Sequence, residues 1–391
     1  MRKFFCATLL SLLLIPQLGA QEVDIFGYFE PQFTGIYLNG NYYQMQANKL
    51  RVDLKSNLVE NVEFGANFDW IVYHGKRDWN FLDFIPRKLS SSVHPFMRYR
   101  YQFTYEDRNF LDNAYLRFSF PLFDLMVGKQ QISLGTGYAF NPTDVFNFKD
   151  LMDPTYEQPG HNALRLDYPL SCAFSLLALY SPESDWEESG KLLRLKGRWG
   201  HFDFSVIGTE TEWTITDYDY PYYISVTTHR RRLLGGDFAG ELLGLGIWAE
   251  GAYNFVKENK DFWELVVGGD YTFDSELYLM LEFYHHSLAK SDYHQYDLND
   301  WLRFFYQEQK SLTQNQLYWL VQYPATDLLK VGGSALVSLS DGSIAFVPTL
   351  LYSLHENVEL TLIGNINVGK EGKAYGSNQG HSLLLRSRVY F

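Results

Sequence analysis

The chain has 391 residues, of which 17% are aromatic, and a formal net charge of -13. Its mean hydropathy of -0.23 is in the range of water-soluble proteins, and an acidic balance of this size argues against nucleic acid as a partner. Two cysteines leave no room for a disulfide framework.

The first expected element is a leader. Met1-Arg2-Lys3-Phe4 is a short basic start, Leu9 to Ile15 is mostly apolar, and Leu18-Gly19-Ala20 supplies small residues at its end. This is the pattern of a secretory signal peptide, 1–20, cut after Ala20; a spanning helix needs roughly 20 apolar residues. Removal of Arg2 and Lys3 would take the charge from -13 to -15, and removal of Cys6 would leave Cys172 single. Cys172 lies beside a turn with the parity of Phe174 and Leu176, so it reads as a small apolar filler.

Strands are expected from here on. The first, Asp24 to Phe29, begins so soon after the leader that no length remains for an N-terminal hatch or plug. Val62, Phe64, Ala66, Phe68 and Trp70 share one face against Asn61, Glu63, Asn67 and Asp69. Trp263, Leu265, Val267, Tyr271 and Phe273 alternate with Glu264, Asp270 and Thr272, and Val358, Leu360, Leu362, Ile366 and Val368 with Glu359, Thr361, Asn365 and Asn367. Alternation of this kind marks strands with one polar and one apolar face. Eight short turns punctuate them, around Asn57-Leu58, Pro121, Pro169-Leu170, Gly200, Gly244, Asp274-Ser275, Ala325-Thr326 and Glu356-Asn357. A transmembrane barrel, lipid-facing on one parity and wet on the other, reconciles the apolar faces with the low mean hydropathy. The expected fold is all-β: a single antiparallel transmembrane β-barrel over 21–391, of about 16–18 strands, 18 by the turn count, with both termini periplasmic. Its lumen would be too wide for wall side chains to fill, and no segment is expected to form a helical plug.

Two stretches resemble known proteins. The end, Arg386-Ser387-Arg388-Val389-Tyr390-Phe391, alternates and stops on Phe391, which is similar to the terminal signal by which outer-membrane barrels are recognised for assembly. Gly128-Lys129-Gln130-Gln131-Ile132-Ser133 leads into Asn141-Pro142-Thr143-Asp144 and, beyond, Tyr156-Glu157-Gln158-Pro159-Gly160. This region resembles the third external loop of porin-like Gram-negative outer-membrane barrels, including the alginate-export-like group. The resemblance implies that the loop, about 138–160, folds into the lumen and narrows it. Asp144, Asp150, Asp153 and Glu157 would then stand at a pore constriction; the alternative is a solvated external loop.

Parity supplies a wall for such a loop to face. Lys49, Arg51, Lys55, Arg117, Arg165, Arg194, Lys196, Arg198, Arg386 and Arg388 alternate with apolar residues. Arg or Lys on the lipid face costs roughly 2–4 kcal/mol at the midplane, so these side chains should point inward. They form a mainly basic arc on the early strands and the last. Glu250, Glu264, Asp270, Glu282 and Glu359 make the later strands mainly acidic. Opposed arcs would orient polar or zwitterionic solutes; keeping the lumen wet is the plainer role.

The aromatic residues admit three readings: interface girdles, loop packing or a stacking track for sugars. Tyr218, Tyr220, Tyr222 and Tyr223, with Tyr293, Tyr296, Trp301, Phe304 and Phe305, are the loop-borne set that would gather a ligand. An enzyme reading rests on His285, His286 and Ser287 alone, and His294 adds no metal-ligand spacing. The expected function is an outer-membrane porin-type channel for small hydrophilic solutes, with or without selectivity. A polysaccharide or other dedicated exporter is the alternative, and a barrel hydrolase is third. The expected partners are outer-membrane lipid, small polar solutes and the barrel-assembly machinery; homo-oligomer or monomer stays open, and neither cofactor nor metal is expected.

Overall fold

The computed structural model describes residues 22–153, 156–219 and 223–391. The expected signal peptide lies outside them, as do Tyr220 and Tyr222 and the side chains of Tyr218 and Tyr223. Eighteen strands form the wall: β1 (Val23–Leu38), β2 (Asn41–Val59), β3 (Val62–Gly75), β4 (Arg108–Ser119), β5 (Asp124–Gln130) and β6 (His161–Pro169). They continue as β7 (Phe174–Ser181), β8 (Gly190–Trp199), β9 (Phe202–Asp219), β10 (Tyr223–Leu242), β11 (Leu245–Val256) and β12 (Phe262–Thr272). The last are β13 (Tyr278–His286), β14 (Asn315–Pro324), β15 (Leu329–Ser338), β16 (Ile344–His355), β17 (Val358–Val368) and β18 (His381–Tyr390). Each pairs antiparallel with its neighbour in sequence, and β18 closes on β1 with Phe29 opposite Val389 and Gln32 opposite Arg386. The expected barrel, with the 18 strands of the turn count, is the fold.

Alternation builds this wall. Outward residues meet no protein and stay exposed, as at Leu234 (58%), Leu193 (54%), Leu281 (51%) and Trp319 (51%). Such a continuous apolar exterior belongs in hydrocarbon. Aromatic pairs stand toward either edge of it, Tyr253 with Phe255 at 4.7 Å and Tyr271 with Phe273 at 4.8 Å between ring centroids, where girdles belong. No helix among the described residues is long and apolar enough to cross a membrane; the crossing is made by strands.

The rim that holds both ends of the barrel carries the eight short turns. At Leu243-Gly244 both residues have positive φ, 55° and 82°, the two-residue hairpin geometry that suits strand twist. The far rim carries the long connections, residues 76–107, 131–160, 287–314 and 369–380. The third connection begins at 131, earlier than expected. Ile132 and Leu134 keep the inward parity of Met126 and Gln130; they leave the wall and pack inside against Ala163, Leu179, Leu192 and Ile207.

A short helix does enter the barrel mouth. Leu298–Phe305 is an α-helix opened by a capping box between Asp297 and Asp300. It is too short to be a plug by itself, but Trp301 and Leu302 are fully buried in a core shared with other loops: Leu82, Ile85 and Met97 from 76–107 and Tyr375 from 369–380. Trp301, Phe304 and Phe305 are therefore loop packing, the second of the three expected readings. The core lies against inward residues of β11 to β16, among them Val266, Met280, Tyr318 and Leu336, and so fills one side of the barrel mouth.

Candidate functional site

The third loop, 131–160, enters the lumen because two wall carboxylates hold its backbone. Glu250 of β11 is 1% exposed; one oxygen accepts from Thr136 N at 2.8 Å and Gly137 N at 3.0 Å, the other from Thr143 N at 2.7 Å and Thr143 Oγ1 at 2.8 Å. Glu282 of β13 accepts from Tyr138 N at 2.6 Å, Ala139 N and Phe140 N at 2.9 Å, and Trp248 Nε1 at 2.8 Å. Buried N–H groups of an irregular segment must find acceptors, and here the wall supplies them. Gly135 has φ 81° and lies so close that a Cβ would run into the Glu250 carboxylate, so this approach needs glycine. Phe140 stacks on Tyr284 at 4.2 Å between centroids.

Of the four loop carboxylates expected at a constriction, Asp144 is 2% exposed and is engaged inside the loop. It accepts from Phe146 N at 3.0 Å, Asn147 N at 3.1 Å and Asn147 Nδ2. Glu157 docks on the basic wall, 2.6 Å from Lys49 Nζ and 3.0 Å from Arg51 Nη1, with Tyr28 Oη donating to it. Burial pushes its carboxyl up, but Lys49, Arg51 and the Tyr28 hydroxyl outweigh that and hold it at about 2. Asp153 pairs with Arg386. Asp150 accepts only from the backbone of Met152 at 2.9 Å and Asp153 at 3.3 Å, and no cation lies within 4 Å of it among the described residues. Its surface reaches lumen water, yet it sits deep among protein groups, and that desolvation holds its carboxyl above the usual range.

The basic wall is interleaved with carboxylates that share its parity. Arg51 meets Asp53 at 2.8 Å and Asp112 at 3.5 Å, Lys49 meets Asp69 at 3.5 Å, and Lys55 meets Glu63 at 3.5 Å. Arg165 pairs with Asp167 at 2.7 Å, Arg194 with Asp237 at 3.2 Å, and Lys196 and Arg198 with Asp203 at 3.2 and 2.9 Å. Arg386 and Arg388 share Glu30, and Arg117 stands opposite Glu63 in register. The expected mainly basic arc is therefore a ladder of compensated pairs, because carboxylates of the same parity stand beside the cations. On the later strands, Glu264 accepts from Tyr284 Oη at 2.6 Å, Asp270 from Tyr278 Oη at 2.7 Å and Glu359 from Tyr390 Oη at 3.0 Å. The loop-borne Lys310, absent from the sequence reading, reaches Glu264 at 3.8 Å and donates to Asn141 O on the third loop.

Two cavities flank the loop. One, of about 480 Å³, opens toward the far rim and is walled by β1, β2, β3, β17 and β18 with Asp150, Met152 and Asp153. The other, of about 490 Å³, lies toward the short-turn rim between Tyr138, Tyr156, Trp248, Asp270, Tyr278 and Tyr318, and includes Lys149, Asp150 and Leu151. Asp150 lines both. Lys149 lends its ammonium to Gly137 O at 2.8 Å, Tyr138 O at 2.6 Å and Asn141 Oδ1 at 2.7 Å, and so ties the segment before Asp150 to the loop root.

The histidines do not assemble a catalytic set. His285 Nδ1 faces Asn315 Oδ1 at 2.8 Å, while Ser287 Oγ accepts from Trp263 N at 2.8 Å. His286 is buried and stacked on Phe262. No group of three metal-binding side chains occurs among the described residues.

No protein-family model and no curated protein matches the sequence. Solved structures do match the fold. OccAB1 of Acinetobacter baumannii superposes with a TM-score of 0.58 at 10% identity, over 95% of this chain and 96% of that one. OccAB4 of the same organism gives 0.57 at 9% identity, over 96% of this chain and all of the other. The chain shares their barrel architecture, the porin-type fold of outer-membrane proteins.

Proposed function

We propose that this barrel is an outer-membrane channel for small hydrophilic solutes, in which the segment Lys149–Asp153 of the third loop forms the partition that solutes pass. The observation that carries this reading is that Asp150 borders the cavity on each side of the loop. Outer-membrane lipid covers the apolar belt, and the rim with the long connections faces outward, as in barrels with short periplasmic turns. Asp144 closes a turn of the loop on Phe146 and Asn147. Asp153 and Glu157 moor its later limb to Arg386, Lys49 and Arg51. Asp150, with no cation within 4 Å among the described residues, presents a net negative charge to the path, and a charge at a narrow point selects by sign.

The test is single-channel recording of the refolded barrel in a planar bilayer under a salt gradient. Open steps with a modest cation preference are expected, and Asp150→Asn should move the reversal potential toward zero. A folded barrel that passes no current would refute the channel; an unchanged reversal potential would remove Asp150 from the path.

A further inference from the structure

Lining chemistry narrows the class of solute. An anion only accepts hydrogen bonds and an ammonium only donates them, whereas a hydroxyl does both. A path selective for either ion therefore needs one kind of partner in excess. The outer cavity offers both kinds in neutral side chains: Gln32, Thr34, Asn365, Asn367, Gln379 and Ser382. Its charged members are mostly engaged, Lys49 by Glu157 and Asp153 by Arg386.

Two acceptors in that lining have no partner among the described residues. Asn367 is 7% exposed, and its amide N–H donates to Gly380 O at 2.8 Å, which leaves Oδ1 unpaired. Asn365 Oδ1, two residues along β17 on the same face, is also unpaired. A buried acceptor left unpaired costs free energy, and both residues line the outer cavity.

Past Asp150 the lining changes to phenols and an indole. Tyr138 is 46% exposed and turned into the inner cavity. Its backbone N–H is pinned to Glu282, and its ring leans on Tyr318 at 5.9 Å between centroids. This is a half-exposed aromatic ring beside the Asp270 carboxylate and the Tyr278 hydroxyl. A ring face receives the C–H face of a sugar ring, while a carboxylate accepts from the sugar's hydroxyls. Both cavities lie within the roughly 300–1,000 Å³ of small-molecule sites.

We infer that the channel selects neutral polyhydroxylated solutes of mono- to disaccharide size, which meet Asn365 and Asn367 first and then stack on Tyr138 beyond the partition. This rests on the channel reading above. The experiment uses the same bilayer recording, first in salt alone and then with glucose, sucrose, arginine or glutamate at equal concentration. Sucrose and glucose should interrupt the current more than either amino acid. Tyr138→Ala should weaken the sucrose block about tenfold, the scale of a lost aromatic contact, and Tyr138→Phe should retain it. Open steps with deeper block by arginine or glutamate, or a sucrose block indifferent to Tyr138→Ala, would overturn the sugar assignment and leave the channel standing. A barrel silent in salt alone would overturn both.

Discussion

Replacing Glu250 by Gln should loosen the third loop while leaving the wall intact. The wild-type carboxylate accepts four hydrogen bonds from the loop. A glutamine must turn its NH2 toward one pair of those donors. It will choose Thr143, whose hydroxyl alone of the four can also accept, so the Thr143 N–H loses its partner. A hydrogen bond to a charged group contributes about 1.5–3 kcal/mol and a neutral one about 0.5–1.5, so losing one and neutralising the rest weakens the tether by roughly 4.5–7.5 kcal/mol. The strand itself keeps its ladder, with Glu250 still in register between Asp237 and Val266. Single-channel recordings should then show larger and noisier conductance, and limited proteolysis should nick the loop between 131 and 160. Glu250→Gln/Glu282→Gln should exaggerate both effects, since Glu282 is the other tether. Conductance, noise and protease resistance identical to the wild type in the double variant would refute this account of how the loop is held.

Selectivity should depend on pH through Asp150. Desolvation raises its carboxyl above the usual range, so it neutralises earlier than an ordinary aspartate as pH falls. The cation preference should therefore fade with a midpoint above about 4, read from reversal potentials across a pH series; a midpoint below that value would contradict the assignment. The mooring through Glu157 behaves oppositely: its depressed carboxyl contributes in full above the ordinary carboxylate pKa and is lost only as pH falls through about 2. Arg51→Met leaves Asp53, Asp112 and Glu157 without their shared guanidinium. Stranding buried charge costs about 3–5 kcal/mol, seen as a lower urea midpoint for the folded barrel; an unchanged midpoint would mean that lumen water takes the cation's place.

The barrel was legible because its two determinants are local. Alternation such as Val62 to Trp70 assigns a lipid face and a wet face, and each short turn marks a return of the chain. The inward placement of the basic residues follows from the same parity. Their neutralisation was open to the same reasoning, since Asp53 stands two residues from Arg51 and Asp167 two from Arg165. The helix Leu298–Phe305 also left a local signal, apolar residues at 298, 301, 302 and 305 behind a capping aspartate. What no local pattern contained is the pairing of Glu250 and Glu282 with a loop more than a hundred residues earlier in the chain. A glutamate on an inward face reads equally as a pore charge or as an acceptor for backbone, and only the path of the loop decides. Tyr138 was one aromatic residue among many until that path fixed its ring over open space.

The loop core packed against β11 to β16 gives the inner wall two different mutational grammars. Where Met280 or Leu336 meets Trp301 and Leu302, an inward residue behaves as the interior of a soluble protein, and truncation there is felt as misfolding. On the adjoining strands β17 and β1, Asn365 and Gln32 line the outer cavity instead, so the chain can exchange them at less cost to folding. Variation in what lines the lumen therefore has the arc from β17 through β1 open to it, while the adjoining arc, β11 to β16, is held still by the demands of a core.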